Sequence, residues 1–133
     1  MSEPVKLHLE YRDNCLVIQP QGRDILERMA ATMQAIAAAI RARPVRATLV
    51  DLRAVPGTVN FLDRYQLGSM AGRHLPRIQL AVLVTDEQAD PNRIGQLVAL
   101  NRGANVEVFT DPAAAEVWLK KMAPLPPDPA DGR

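Results

Sequence analysis

Two short apolar runs that do not alternate with polar residues constrain the fold of this 133-residue chain most strongly. One lies within residues 46–52 and the other within residues 78–84, and turn-forming residues follow both of them. A run of this kind is typical of a strand that is buried on both faces of a parallel sheet. We therefore predict that the two runs are neighbouring central strands of one α/β domain.

The N-terminal segment predicts a β-hairpin over residues 5–19. Apolar and polar residues alternate along residues 5–12, which is the pattern of a strand with one face in water. Asp13 and Asn14 supply a two-residue turn, and the apolar residues after them predict a more buried strand over 15–19. The break is expected at Pro20.

A first helix is predicted between the hairpin and the run at 46–52. Asp24 and Glu27 have the spacing of a capping box, which marks the start of a helix. Apolar residues then recur at steps of three and four from Ile25 to about Ala42, as on one face of a helix. Pro44 is expected to end this helix and lead the chain into the central strand.

The rest of the chain predicts three more helices and a last strand. After a loop at 53–59, a helix is predicted from Asn60 to about residue 75, and Asp111 before a proline is a helix N-cap signature. The Pro-rich end has no apolar periodicity and predicts a disordered tail. The remaining predicted segments are a helix at 91–102, a strand at 104–109, a helix at 112–122, a domain over 1–123 and the tail over 124–133.

The order of these elements predicts a mixed five-stranded sheet with four helices. Strands that alternate with helices imply parallel, right-handed crossovers, so the strands should follow one another in sequential order with the first strand antiparallel at one edge. Crossovers of one hand and one direction should place most helices on one face. We therefore expect the other face to be partly bare and open to a ligand, a partner or a second copy, with the edge of the first strand as another site of homodimerisation.

Composition and charge exclude several classes of protein. The net charge of +1 does not favour nucleic-acid binding, and no apolar stretch reaches the roughly 18 residues of a membrane span. The single cysteine, Cys15, cannot form an internal disulfide, which favours a reducing compartment. The N-terminus shows no leader pattern, so we expect a cytoplasmic protein. Three arginines cluster around one turn: Arg41, Arg43 and Arg46. They form either a solvated surface or a contact site for an anion or a partner.

Three motifs together resemble the SpoIIAA-like group of the STAS-domain superfamily (sulfate transporter and anti-sigma-factor antagonist), whose fold is also compared with lipid-carrying Sec14-like domains. They are LVDL before a loop, D-x-x-x-L-G over Asp63–Gly68, and the terminal VFTDPAAAEVWL. The resemblance covers about residues 5–120 and implies a scaffold for protein binding. Signalling members carry a phosphorylatable serine where this chain has Tyr65, and a glycine where it has Gln66. The resemblance therefore implies that the serine switch is absent here, and Ser69 is out of register with it.

Catalysis is the weaker interpretation of the same sequence. In an open parallel sheet, reactive groups are expected beyond the carboxyl ends of the strands, where Asp51 and Asp86 could act as acid and base or hold a divalent ion. Aspartates at such positions more often cap loops and helices, and His74 lies where a helix end favours a cation. No histidine or cysteine spacing predicts a metal site. We therefore predict no catalytic residues, no metal and no cofactor. The polar residues expected at these strand ends are Gln19, Asp51, Arg53, Thr85, Asp86, Thr110 and Asp111.

Two binding hypotheses remain, and both use the segment after the central strand. In the first, the loop at 53–60 and the start of the next helix contact an unknown protein partner. In the second, that helix and the sheet enclose a small apolar ligand or a lipid. The residues predicted to bind the partner are Arg53, Thr58, Asn60, Asp63, Arg64, Tyr65 and Ser69. The residues predicted to line the ligand site are Phe61, Leu62, Tyr65 and Met70.

Overall fold

The computed structural model describes residues 5–12, 14–22, 28–55, 69, 73, 79–89, 100–101 and 105–122. Within these ranges the chain forms five strands and two helices. The strands are β1 (Lys6–Arg12), β2 (Cys15–Gln21), β3 (Ala47–Asp51), β4 (Gln79–Leu83) and β5 (Asn105–Phe109). The helices are α1 (Met29–Ala42) and α2 (Pro112–Met122).

The five strands form one mixed sheet in the order β1-β2-β3-β4-β5. β1 pairs antiparallel with β2, and Arg12 lies opposite Cys15 across the predicted two-residue turn. The other neighbours are parallel, so that Val50 lies between Ile18 and Val82 in the centre of the sheet. The predicted strand order and the predicted antiparallel edge strand are thus confirmed. The tail at 124–133 and most of the predicted helices at 60–75 and 91–102 lie outside the described residues, although Ser69, Arg73, Leu100 and Asn101 are helical.

Both faces of the sheet are covered by a helix, because α1 and α2 pack on opposite sides. On one face, α1 buries Ile36 and Ile40 against β2, β3, β4 and β5. On the other face, α2 buries Ala115 and Leu119 against the same four strands. The prediction that most helices share one face stays a prediction, because the predicted helices at 60–75 and 91–102 lie mostly outside the described residues. The handedness rule constrains a helix that leads to another strand, and α2 follows the last strand, so it is free to cover the face that α1 leaves open.

Two predicted boundaries, the end of β2 and the start of α1, are wrong. β2 continues through Pro20, which pairs with Leu7. The parallel ladder with β3 ends at Ile18, and a proline is tolerated where a strand has lost one neighbour because its missing N–H interrupts no ladder there. α1 begins at Met29, after Arg28, which makes no side-chain cap hydrogen bond. The predicted capping residues Asp24 and Glu27 lie outside the described residues.

An ion pair joins the edge strand to the last helix. The Arg12 guanidinium donates to Glu10 through Nε at 2.9 Å and to Glu116 of α2 through Nη1 at 2.6 Å. The charged groups are exposed, so the pair contributes little to the stability of the fold. On the opposite face of β1, the Arg43 guanidinium stacks on the Tyr11 ring at 4.2 Å. None of the helices within the described ranges has the length and apolar character that crossing a bilayer requires.

Candidate interaction site at the carboxyl ends of the strands

The carboxyl ends of the parallel strands meet at one edge of the sheet, which we call the carboxyl edge. The described residues there are 52–55 after β3, 84–89 after β4 and 110–111 after β5. Asp111 caps α2, since its Oδ1 accepts a hydrogen bond from the Ala113 N–H at 3.1 Å. This confirms the predicted N-cap and removes Asp111 from the candidates for ligand binding.

Asp51 is a buried carboxylate whose two oxygens are both occupied. It is 8% exposed at the end of β3. Its Oδ1 accepts from the backbone N–H of Arg53 at 3.1 Å and from Arg53 Nε at 3.0 Å. Its Oδ2 accepts from Arg53 Nη2 at 3.0 Å and from Gln19 Nε2 at 3.2 Å. Asp51 therefore shapes the chain as it leaves β3, and its oxygens are not presented to a substrate or an ion.

The surroundings of Asp51 determine how it titrates. Burial disfavours the ionised carboxylate, but the hydrogen bonds from Arg53 and Gln19 favour it more, and together they hold the pKa of Asp51 below its usual value. A carboxylate with a lowered folded pKa stabilises the fold above the unfolded pKa of about 3.9. This contribution is lost as the pH falls through the folded pKa.

We predict that Asp51→Asn lowers the free energy of unfolding by about 1–2 kcal/mol near neutral pH, because the charge-assisted hydrogen bonds from Arg53 are weakened. The difference from the wild type should shrink as the pH falls below about 4, where the carboxylate is protonated first in the unfolded chain and, at lower pH, in the folded one. Urea unfolding of both proteins across this range measures the effect. Asp86→Asn removes an exposed carboxylate from the neighbouring turn and should change little. An equal loss in the two variants would contradict the structural role of Asp51.

Gln88 joins two of the loops at the carboxyl edge. Its side-chain oxygen accepts from the Thr85 N–H at 2.8 Å, and its own N–H donates to Thr85 Oγ1 at 3.1 Å. This is the reciprocal pairing of a capping box. The Gln88 amide nitrogen is thereby turned toward the chain after β3, where it donates to Leu52 O at 2.8 Å and Val55 O at 3.0 Å. We call these last two hydrogen bonds the Gln88 bridge.

The Gln88 bridge fixes the point from which the predicted binding segment departs. Val55 is buried, and its N–H donates to Leu52 O at 3.0 Å, so residues 52–55 form a closed turn. The interpretation of the sequence missed Gln88. The signal was present, because a threonine followed three residues later by glutamine has the spacing of a capping box, here in a turn after a strand rather than at a recognised helix start.

The structure places only part of the predicted site. Arg53 lies at the carboxyl edge with an exposed side chain paired to Asp51, and Ser69 is a half-buried residue in a helical position. Among the described residues, no group of three or more histidine, cysteine, aspartate or glutamate side chains is arranged to hold a metal ion. The site residues outside the described ranges are Thr58, Asn60, Phe61, Leu62, Asp63, Arg64, Tyr65 and Met70. The apolar ligand site therefore stays a prediction, as does the second half of the partner site.

An antiparallel hairpin followed by parallel strands in sequential order is the arrangement that the resemblance to SpoIIAA-like, or STAS, domains predicted. The fold of this chain is similar to that of an anti-sigma factor antagonist from Mycobacterium paratuberculosis, with a TM-score of 0.58 and 19% sequence identity over 90% of this chain and 99% of that one. This confirms the predicted resemblance at the level of the fold. The sequence matches no protein-family profile and no curated protein.

Proposed function

We propose that this chain is a non-catalytic regulatory module of STAS type that binds another protein through its carboxyl edge and the segment that follows it. The Gln88 bridge is the observation that carries this proposal. It holds the chain that leaves β3 against the turn after β4, so the segment with the predicted contact residues begins at a fixed point. A segment with a fixed starting point loses less conformational freedom when a partner docks, which favours binding.

The chemistry of the same edge favours binding over catalysis. The oxygens of Asp51 accept hydrogen bonds from Arg53 and Gln19, and Asp111 caps a helix, so neither aspartate offers an open position to a reacting group. Arg53 pairs with Asp51 while its side chain stays 44% exposed, which lets a partner's carboxylate or carbonyl approach it.

The experiment that tests this proposal is co-purification of partners with the full chain from its native cell. We predict that Arg64→Glu lowers capture of a specific partner at least about tenfold, because a charge reversal within a contact surface opposes docking. Lys120→Glu is the matched control, since Lys120 is an exposed cation in the last turn of α2, away from the carboxyl edge. Circular dichroism establishes that both variants fold. Equal capture by the wild type and by Arg64→Glu would contradict the proposed surface.

The same purification tests the proposed absence of the serine switch. Tyr65 stands where signalling STAS domains carry the phosphorylated serine, so the chain isolated with its partner should have the unmodified mass over residues 63–69. A phosphate on that segment would show that regulation by phosphorylation has been retained at another residue. A lipid-sized mass that stays bound in native mass spectrometry would favour the apolar ligand hypothesis.

A further inference from the structure

The outer edge of β1 is a second candidate surface, at the side of the sheet rather than at its carboxyl edge. Within the described residues, β1 pairs with β2 alone. An edge strand leaves a row of backbone donors and acceptors that another strand can complete. Leu9, the middle residue of the seven-residue strand, is 38% exposed and points to the α1 face, the side on which Leu7 and Tyr11 pack.

The charges along β1 are arranged unevenly. On the α2 face, the strand begins with Lys6 and His8, which are exposed. It ends with Glu10 and Arg12, and Arg12 also pairs with Glu116 of α2. One cation shared between two carboxylates leaves that end with a net charge of −1 (one positive and two negative groups). β1 is therefore positive at its start and negative at its end.

We propose that β1 pairs antiparallel with β1 of a second copy of this chain, with the two Leu9 residues facing each other on a two-fold axis. This arrangement places His8 of each copy opposite Glu10 of the other. Lys6 lies opposite Arg12 of the other copy. The positive charge of that Arg12 is outweighed by the negative charges of Glu10 and Glu116, to which it donates. The result is one continuous ten-stranded sheet, closed by an isologous contact.

The register follows from the length of the strand and from its side chains. A two-fold axis at Leu9 pairs all seven residues of β1, whereas an axis at His8 or Glu10 pairs only residues 6–10 or 8–12. The Leu9 axis brings Leu7 opposite Tyr11 on the α1 face, so that apolar side chains meet there. On the other face, the His8 imidazole lies opposite the Glu10 carboxylate as a hydrogen-bonding partner.

The first test is the oligomeric state of the full chain by sedimentation equilibrium. The wild type should approach twice the mass of one chain as concentration rises. Leu9→Arg, which sets two cations on the axis, should weaken association at least about tenfold. Val117→Arg is the matched control, because Val117 is 68% exposed on α2, and it should associate as the wild type does. A chain that stays monomeric, or a dimer that Leu9→Arg leaves intact or that both variants weaken equally, would overturn the proposal.

The second test fixes the register by cross-linking in a Cys15→Ala background, which removes the only native thiol. Residues directly opposite in an antiparallel pair have Cβ atoms about 4.5–5.5 Å apart, within reach of a short thiol cross-linker. Leu9→Cys should form a covalent dimer with itself. Chains with His8→Cys should link to chains with Glu10→Cys in preference to their own kind. Failure of Leu9→Cys to cross-link in a sample that sediments as a dimer would overturn the proposed axis. Either result leaves the proposed function at the carboxyl edge untouched.

Discussion

Replacing Gln88 with alanine is expected to lower the free energy of unfolding by about 2–4 kcal/mol. The substitution removes the side-chain partners of Val55 O and of the Thr85 N–H, whereas Leu52 O loses one donor and keeps the Val55 N–H. An unpaired polar group in a buried or half-buried position costs about 1–3 kcal/mol. Urea unfolding measures the loss, and hydrogen exchange should show weaker protection of the Val55 and Thr85 amides. Glu87→Ala, at an exposed position in the same turn, should stay within about 0.5 kcal/mol of the wild type.

A second variant separates the two tasks of Gln88. Gln88→Glu keeps an oxygen for the Thr85 N–H, but it replaces the donating amide group with a carboxylate that faces the carbonyls of Leu52 and Val55. If the Gln88 bridge holds the binding segment, Gln88→Glu should destabilise at least as much as Gln88→Ala and should also weaken partner capture. A nearly neutral Gln88→Glu would show that only the capping of the turn matters.

The central strands could be predicted from the sequence because a strand that is buried on both faces has an uninterrupted run of apolar residues. The apolar runs at 46–52 and 78–84 became Ala47–Asp51 and Gln79–Leu83, and each prediction extends one residue beyond the strand at either end. Sequential strand order followed from the alternation of strands and helices, and Asp111 before a proline located the start of α2. In these cases the local pattern and the tertiary structure agree.

The sequence is uninformative where tertiary structure decides and local pattern does not. Pro20 is compatible with a strand because β3 has ended beside it, a fact that no local pattern contains. The face chosen by α2 depends on which face α1 has left open. Each of these features requires the position of another element.

The sequence indicated which polar residues gather at the carboxyl edge, whereas partner binding at that edge stays a prediction. The carboxyl edge was indicated by polar residues after buried strands, and Arg53 does lie there. A loop-capping use of Asp51 was the favoured interpretation, but its contact with Gln19 could not be deduced, since Gln19 is 32 residues away in the chain. The Gln88 bridge spans 33 to 36 residues. Contacts of this sequence separation depend on the register of parallel strands, which a single sequence does not reveal.

The packing of α2 on the sheet can be tested with Leu119→Ala, which is expected to lower the free energy of unfolding by about 3 kcal/mol. Leu119 is 2% exposed and packs in the cluster that contains Leu49, Ala81 and Leu83, so its truncation leaves a cavity that the sheet cannot fill by moving. Val117→Ala is the control on the same helix, because Val117 is 68% exposed and loses little packing. Thermal and urea unfolding should show a large loss for Leu119→Ala and a loss below about 0.5 kcal/mol for Val117→Ala. Equal unfolding of the two variants would contradict the packing of Leu119 against the sheet and the cover of this face by α2.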